Sequence, residues 1–175
     1  MRVEFSPPDI TDAECQEVVA ALRSGWITTG PRTKALEKQV AGRCGTTRAA
    51  CLNSATASLE LTLRVLGIGP GDEVIVPAYT YTASASPVVH VGATPVLVDA
   101  GEADGGYGLD PSVLAGAITP RTKAVIPVDI GGRMCDYAAL REVVDSQRHR
   151  FAVSNQVQEA LGRIALVADG AHSFG

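Results

Sequence analysis

Ile164-Ala165-Leu166-Val167-Ala168-Asp169-Gly170-Ala171-His172-Ser173-Phe174-Gly175 decides how this chain is read. The apolar run Ile164 to Ala168 has the length of a buried strand. It ends in the carboxylate of Asp169, and the imidazole of His172 follows shortly after. In open α/β sheets, ligands collect outside the carboxyl ends of the strands. An apolar strand that delivers a carboxylate and an imidazole to that edge predicts a fold class and a place for chemistry together.

Working upstream, the same pattern recurs. Lys123 to Pro127, Thr94 to Val98 and Glu73 to Pro77 read as strands, and Ala49 to Leu52 as a further short buried run. Helical segments alternate with them. Thr11 or Asp12 caps a first helix that carries Val18, Val19 and Leu22 on one face and is closed by Gly25. A second helix runs from Thr33 to Arg43. A third follows Asn53-Ser54-Ala55-Thr56 and carries Leu59, Leu61, Leu63 and Leu66. Thr80 to Val91 reads as a helix that Pro87 kinks or shortens. Asp110-Pro111 opens a helix to Ile118, as a cap followed by a proline in the first helical position. Asp136 to Ser146 is a helix with Leu140, Val143 and Val144 inward. The segment from Gln147 to Arg163 is longer than an ordinary helix-to-strand connection and has room for a short helix. Strand–helix alternation predicts an α/β fold: a mostly parallel sheet with right-handed crossovers and helices on both faces.

Composition narrows the function. The 175 residues are 46% hydrophobic and 19% charged, with a net charge of −4. That suits a sheet covered on both faces. No basic stripe is present, which argues against nucleic acid as a partner. No apolar run has the length of a membrane span, and the N-terminus lacks the apolar core of a signal peptide. The four cysteines, Cys15, Cys44, Cys51 and Cys135, are scattered without a CxxC pair, as expected of reduced cytoplasmic thiols. His90, His149 and His172 have no metal-ligand spacing with them. Gly67-Ile68-Gly69-Pro70-Gly71 precedes a strand, so it is a turn and not a dinucleotide fingerprint. Asp129 and Asp136 flank Gly131-Gly132, which also reads as a turn.

Three segments carry chemistry. Asn53-Ser54-Ala55-Thr56 opens a helix, where free N–H groups and the helix dipole favour an anion; a plain N-cap accounts for the same residues. Tyr79 and Tyr81 follow a strand end, where an aromatic ring can lie on a planar ligand. Spacing does not choose between them, and a core tyrosine is the alternative. Asp169, behind the apolar run Ile164 to Ala168, needs a partner, and a protonated ring nitrogen would serve. A helix N-cap for Asp169 and a structural hydrogen bond for His172 are equally well supported.

Taken together, these segments resemble the DegT/DnrJ/EryC1/StrS family of nucleotide-sugar aminotransferases, which use pyridoxal 5′-phosphate. The matching stretches are 24–31, 53–57, 71–77, 92–99, 118–128 and 168–175, in family order. The resemblance implies the large domain of a fold-type I transferase. It assigns Ala55 and Thr56 to the cofactor phosphate, Tyr81 to the face of the pyridine ring, Asp169 to the pyridine nitrogen and His172 to the neighbourhood of the ring's 3′-oxygen. Trp26, Thr28 and Thr29 match a substrate-side wall often shared across a dimer interface. Residues 1–33 are then an N-terminal helix and substrate-side loop, and 34–175 a partial cofactor-binding domain.

The resemblance further implies amino transfer from glutamate or glutamine to a nucleotide-linked keto-sugar, in polysaccharide or secondary-metabolite sugar biosynthesis, by a cytoplasmic homodimer. Lys34, Lys38 and Lys123 do not match the family's Schiff-base lysine, which is expected beyond Gly175, as is the small C-terminal domain. The chain alone is therefore expected to be inactive. A sugar dehydratase of the same family, and a non-catalytic half that binds a partner chain, are the competing expectations.

Overall fold

The computed structural model describes residues 8–101 and 107–174. Residues 1–7 of the expected N-terminal segment and Gly175, which closes the last matching stretch, lie outside the described residues. The chain forms two compact units, one up to Cys51 and one from Leu52 onward.

The first unit holds α1 (Asp12–Arg23) and α2 (Pro31–Arg43). Thr11, rather than Asp12, caps α1: its hydroxyl accepts from the Ala13 N–H, and Glu14 reaches back to the Thr11 N–H at 2.7 Å. This reciprocal arrangement satisfies donors that a helix start otherwise leaves open. α2 starts ahead of the expected Thr33, because Pro31 takes the first helical position, where its missing N–H costs nothing. Val18, Val19 and Leu22 are all exposed. The expected strand-like run at Ala49–Leu52 is corrected: it is irregular, half-buried at Ala49 and exposed beyond it. The Cys51 N–H bonds the Glu37 carboxylate at 3.0 Å in place of a ladder partner.

The second unit is a four-stranded parallel sheet in the order β2-β1-β3-β4, with β1 Glu73–Pro77, β2 Thr94–Val98, β3 Thr122–Val125 and β4 Ala165–Leu166. Alternate residues of each strand face opposite sides. Val74, Val76 and Ala124 pack with Leu59 and Leu63 of α3 (Ala55–Val65) and Val88 of α4 (Ser86–His90). Ile75 and Val125 pack with Leu114 of α5 (Pro111–Ala117) and Leu140 and Val144 of α6 (Tyr137–Ser146). Both faces are therefore covered, as the near-continuous apolar strands require. The expected helix over Thr80–Val91 is split into a 3-10 turn, Thr82–Ser84, and α4, where Pro87 sits in the opening turn and helps end one helix and start the next.

The long connection before β4 holds a 3-10 turn, Arg148–Arg150, and a short helix α7 (Gln156–Leu161). It is anchored by the amides of Asn155 and Gln158, which donate to the Leu66 carbonyl at 3.1 and 3.0 Å. Gly67 admits this contact, since a Cβ there would meet the Asn155 amide nitrogen at 2.3 Å. β4 is shorter than the apolar run that predicted it. Pairing resumes after it through the isolated bridge between Val128 and Asp169.

The strand order locates the site. The chain leaves β1 toward β2 through α4 on one face, and leaves β3 toward β4 through α6 on the other. Between β1 and β3 the connections diverge, and a crevice opens at the carboxyl ends of the strands.

Candidate active site

A pocket of about 90 Å³ occupies that crevice. Three strand ends supply its walls: Thr80, Tyr81, Ala83 and Ser84 after β1, Val128 to Ile130 after β3, and Asp169, Ala171 and His172 after β4. The opening turn of α3 adds Ala55 and Thr56. Residues far apart in sequence meet there because parallel strands put all their carboxyl ends on one edge.

Ser54 caps α3, its hydroxyl accepting from the Ala57 N–H at 3.1 Å. The N–H groups of Ala55 and Thr56 belong to the first turn, which has no carbonyl four residues back inside the helix. They are the groups that an anion at this helix end would meet, with the helix dipole in support. Tyr81 is 78% exposed and lines the pocket. Tyr79 does not: its ring lies 4.8 Å from that of Tyr107, tilted by 31°.

Asp169 is buried, and its donors are neutral. The Ser84 hydroxyl donates to its Oδ2 at 2.7 Å, and the Ala171 N–H to its Oδ1 at 3.3 Å. Ser84 is itself buried and shares a 2.8 Å bond with the Thr80 hydroxyl. The Nδ1 of His172 accepts from the Gly131 N–H at 3.2 Å. Acceptance at Nδ1 leaves the proton of the neutral ring on Nε2, where it is available to an oxygen acceptor.

Sequence reasoning missed Asp129, Ser84 and Thr80. Asp129 is buried, and its carboxylate accepts from the Tyr137 hydroxyl at 2.9 Å, the Cys135 N–H at 3.0 Å and the Ser173 hydroxyl at 2.7 Å. Burial, reinforced by this carboxylate, pushes the Tyr137 phenol well above its ordinary range, and burial raises the Cys135 thiol in the same direction. The signal was present: Asp129 ends the apolar run Ala124 to Val128 just as Asp169 ends Ile164 to Ala168.

The pocket lining thus carries two buried carboxylates and no lysine or arginine. Among the described residues neither Asp129 nor Asp169 has a cationic partner. Lys123, the nearest lysine in sequence, is buried elsewhere, donating to the Ala152 carbonyl and lying 5.5 Å from the Phe151 ring. Trp26, Thr28 and Thr29 belong to the first unit. There the Trp26 indole N–H donates to the Thr29 carbonyl at 3.1 Å, and the side chain is 58% exposed.

Known proteins are similar to this chain in sequence and fold. The spore coat polysaccharide biosynthesis protein SpsC of Bacillus subtilis (strain 168) is 43% identical over 157 residues, covering 90% of this chain and 39% of SpsC. The PLP form of Spr1654 from Streptococcus pneumoniae, described as a candidate sugar aminotransferase, superimposes with a TM-score of 0.94 at 54% identity. That match covers 100% of this chain and 44% of Spr1654. DesV of S. venezuelae matches with a TM-score of 0.76 at 39% identity, over 93% of this chain and 40% of DesV. The chain spans about two fifths of the length of these relatives. The sequence profile of the DegT/DnrJ/EryC1/StrS aminotransferase family matches residues 8–171, so the parallel sheet and its carboxylate-lined crevice belong to a member of that family.

Proposed function

We propose that this chain forms the cofactor-binding part of a pyridoxal 5′-phosphate-dependent sugar aminotransferase. The observation that carries the reading is the pocket's unbalanced charge. Two buried carboxylates with only neutral donors need a cation facing them. A protonated pyridine nitrogen supplies one, and the first turn of α3 offers N–H groups to a phosphate on the same ligand. When bound, pyridoxal phosphate provides an electron sink for charge that develops on the substrate carbon.

The residues divide the work accordingly. Ala55 and Thr56 hold the phosphate. Tyr81 covers the ring face. Asp169 keeps the ring nitrogen protonated, and Ser84 fixes which way that carboxylate points. His172 offers its Nε2–H to the ring oxygen while Gly131 holds its other nitrogen. Trp26, Thr28 and Thr29 form a substrate-side wall. The exposed apolar residues Val18, Leu22 and Ile27 support a second protomer covering this segment.

The reaction in this reading moves an amino group from glutamate or glutamine to a nucleotide-linked keto-sugar in polysaccharide or secondary-metabolite sugar biosynthesis. The polysaccharide role named for SpsC and the sugar aminotransferase description of Spr1654 support it. All four cysteines are free, as suits a reducing cytoplasm, and no helix among the described residues is long and apolar enough to cross a membrane. The test is amino transfer by the full-length protein. Conversion of glutamate to 2-oxoglutarate that depends on a nucleotide-linked keto-sugar supports the reading. Binding of the phosphate cofactor with no transfer from any amino donor would overturn it.

A further inference from the structure

We infer that Asp129 is a positioning residue, which fixes the turn carrying Asp169 and His172 and adds a second negative charge to the selection of a protonated ring nitrogen. The inference rests on the reading above, in which Asp169 faces that nitrogen.

Asp129 grips the Asp169 turn from two sides. Its main-chain N–H donates to the Asp169 carbonyl at 3.1 Å, and its carboxylate accepts from Ser173 at 2.7 Å. Two residues on, Gly131 donates to His172. The turn is thus tied at Asp169, His172 and Ser173 by one neighbouring loop. The two loops also touch closely: Gly132 has φ of +81°, and a Cβ there would lie 3.0 Å from the His172 carbonyl oxygen. Only glycine adopts that backbone without strain.

The other side of Asp129 is held as firmly. Tyr137 and the Cys135 N–H bond the same oxygen, so the carboxylate cannot swing toward solvent. Asp129 is 3% exposed and Asp169 8%, and a charge in such surroundings acts on its neighbours with little screening. The other titratable groups around the pocket are Tyr81 and His172, with Tyr137 and Cys135 behind Asp129. None of them is a permanent cation, so the negative charge of Asp129 is not cancelled locally.

Two variants separate grip from charge. Asp129→Asn keeps an acceptor for Tyr137 and can pair with Ser173, but removes the charge. Ser173→Ala removes one bond and keeps both charges. The probe is pyridoxamine 5′-phosphate with a labelled ring nitrogen, bound to the full-length protein and read by nitrogen NMR, with affinity from fluorescence titration. Asp129→Asn is expected to lower the pH at which the bound ring nitrogen loses its proton and to weaken binding about 10-fold. Ser173→Ala is expected to weaken binding about 3-fold and leave that pH unchanged. Asp169→Asn is the control. If it shifts the ring-nitrogen titration while Asp129→Asn does not, the inference about Asp129 is overturned and the site assignment stands. If neither variant shifts it, both fall. Should Asp129→Asn fail to fold, an unchanged affinity in Ser173→Ala still overturns the positioning role.

Discussion

Ser84 and Asp169 stand 85 positions apart in sequence and share a buried hydrogen bond of 2.7 Å. The bond joins the turn after β1 to the turn after β4, across the crevice that β3 leaves between them. Its donor is backed by Thr80, so the carboxylate of Asp169 is oriented by a short hydroxyl chain. Ser84→Ala should leave one carboxylate oxygen without its donor and cost about 1–3 kcal/mol of stability. Urea unfolding measures this loss. Cofactor binding should weaken alongside it, and a variant with unchanged midpoint and unchanged affinity would show that the bond orients nothing.

Asp169→Asn removes the charge that, in the proposed function, meets the ring nitrogen, while keeping the shape of the side chain. Breaking a buried ion pair costs about 3–5 kcal/mol. If that loss falls on the transition state, turnover should drop by about 10² to 10⁴ in the full-length enzyme. Steady-state kinetics with an amino donor and a keto-sugar acceptor checks it, and near wild-type turnover would remove Asp169 from the mechanism.

The crevice was legible in the sequence because apolar runs ending in polar residues mark strand ends, and Asp169 was found that way. Asp129 met the same criterion but was absorbed into the Gly131-Gly132 turn. Ser84 was hidden for another reason: nothing in Thr80 to Val91 shows that the segment breaks into two short pieces with Ser84 aimed inward. Ala49–Leu52 failed in the opposite direction. Its apolar residues suggested burial, but burial of a strand needs a neighbour, and Glu37 takes the Cys51 N–H instead. The Asn155 and Gln158 anchor on Leu66 could not be read at all, because it joins segments about ninety positions apart through side-chain amides.

Gly30 lies against the indole of Trp26, the single tryptophan of the chain. A Cβ at Gly30 would come within 2.1 Å of the indole nitrogen. Gly30→Ala should therefore push the ring aside and break its bond to the Thr29 carbonyl. The backbone at Gly30 is extended, so the substitution adds no dihedral strain, and stability should change by less than about 1 kcal/mol. Because one indole reports, a shift in fluorescence emission is the direct measurement. If Trp26 contributes to the substrate wall, KM for the sugar nucleotide should rise while cofactor affinity stays constant. An unchanged emission spectrum would mean that the ring tolerates the methyl group where it stands.

Glu73 gives the fold an acid sensitivity with a definite sign. It opens β1, is buried, and its carboxylate accepts from the Thr119 hydroxyl and from Arg121, whose guanidinium nitrogen Nε lies 2.9 Å away. Burial alone would raise the Glu73 carboxyl, but the hydrogen bonds from Thr119 and Arg121, with the charge of Arg121, hold it below its ordinary value of 4.5. A carboxylate whose folded value lies below its unfolded value binds fewer protons when folded. Its contribution is therefore complete above the unfolded value and is lost as pH falls through the folded one. Glu73→Gln should be less stable than wild type at neutral pH, and the two should converge as the solution is acidified below 4.5. Thermal unfolding of both proteins across pH 7 to about 3 tests this. A stability difference that stays constant over the whole range would mean that Glu73 contributes through packing and not through its charge.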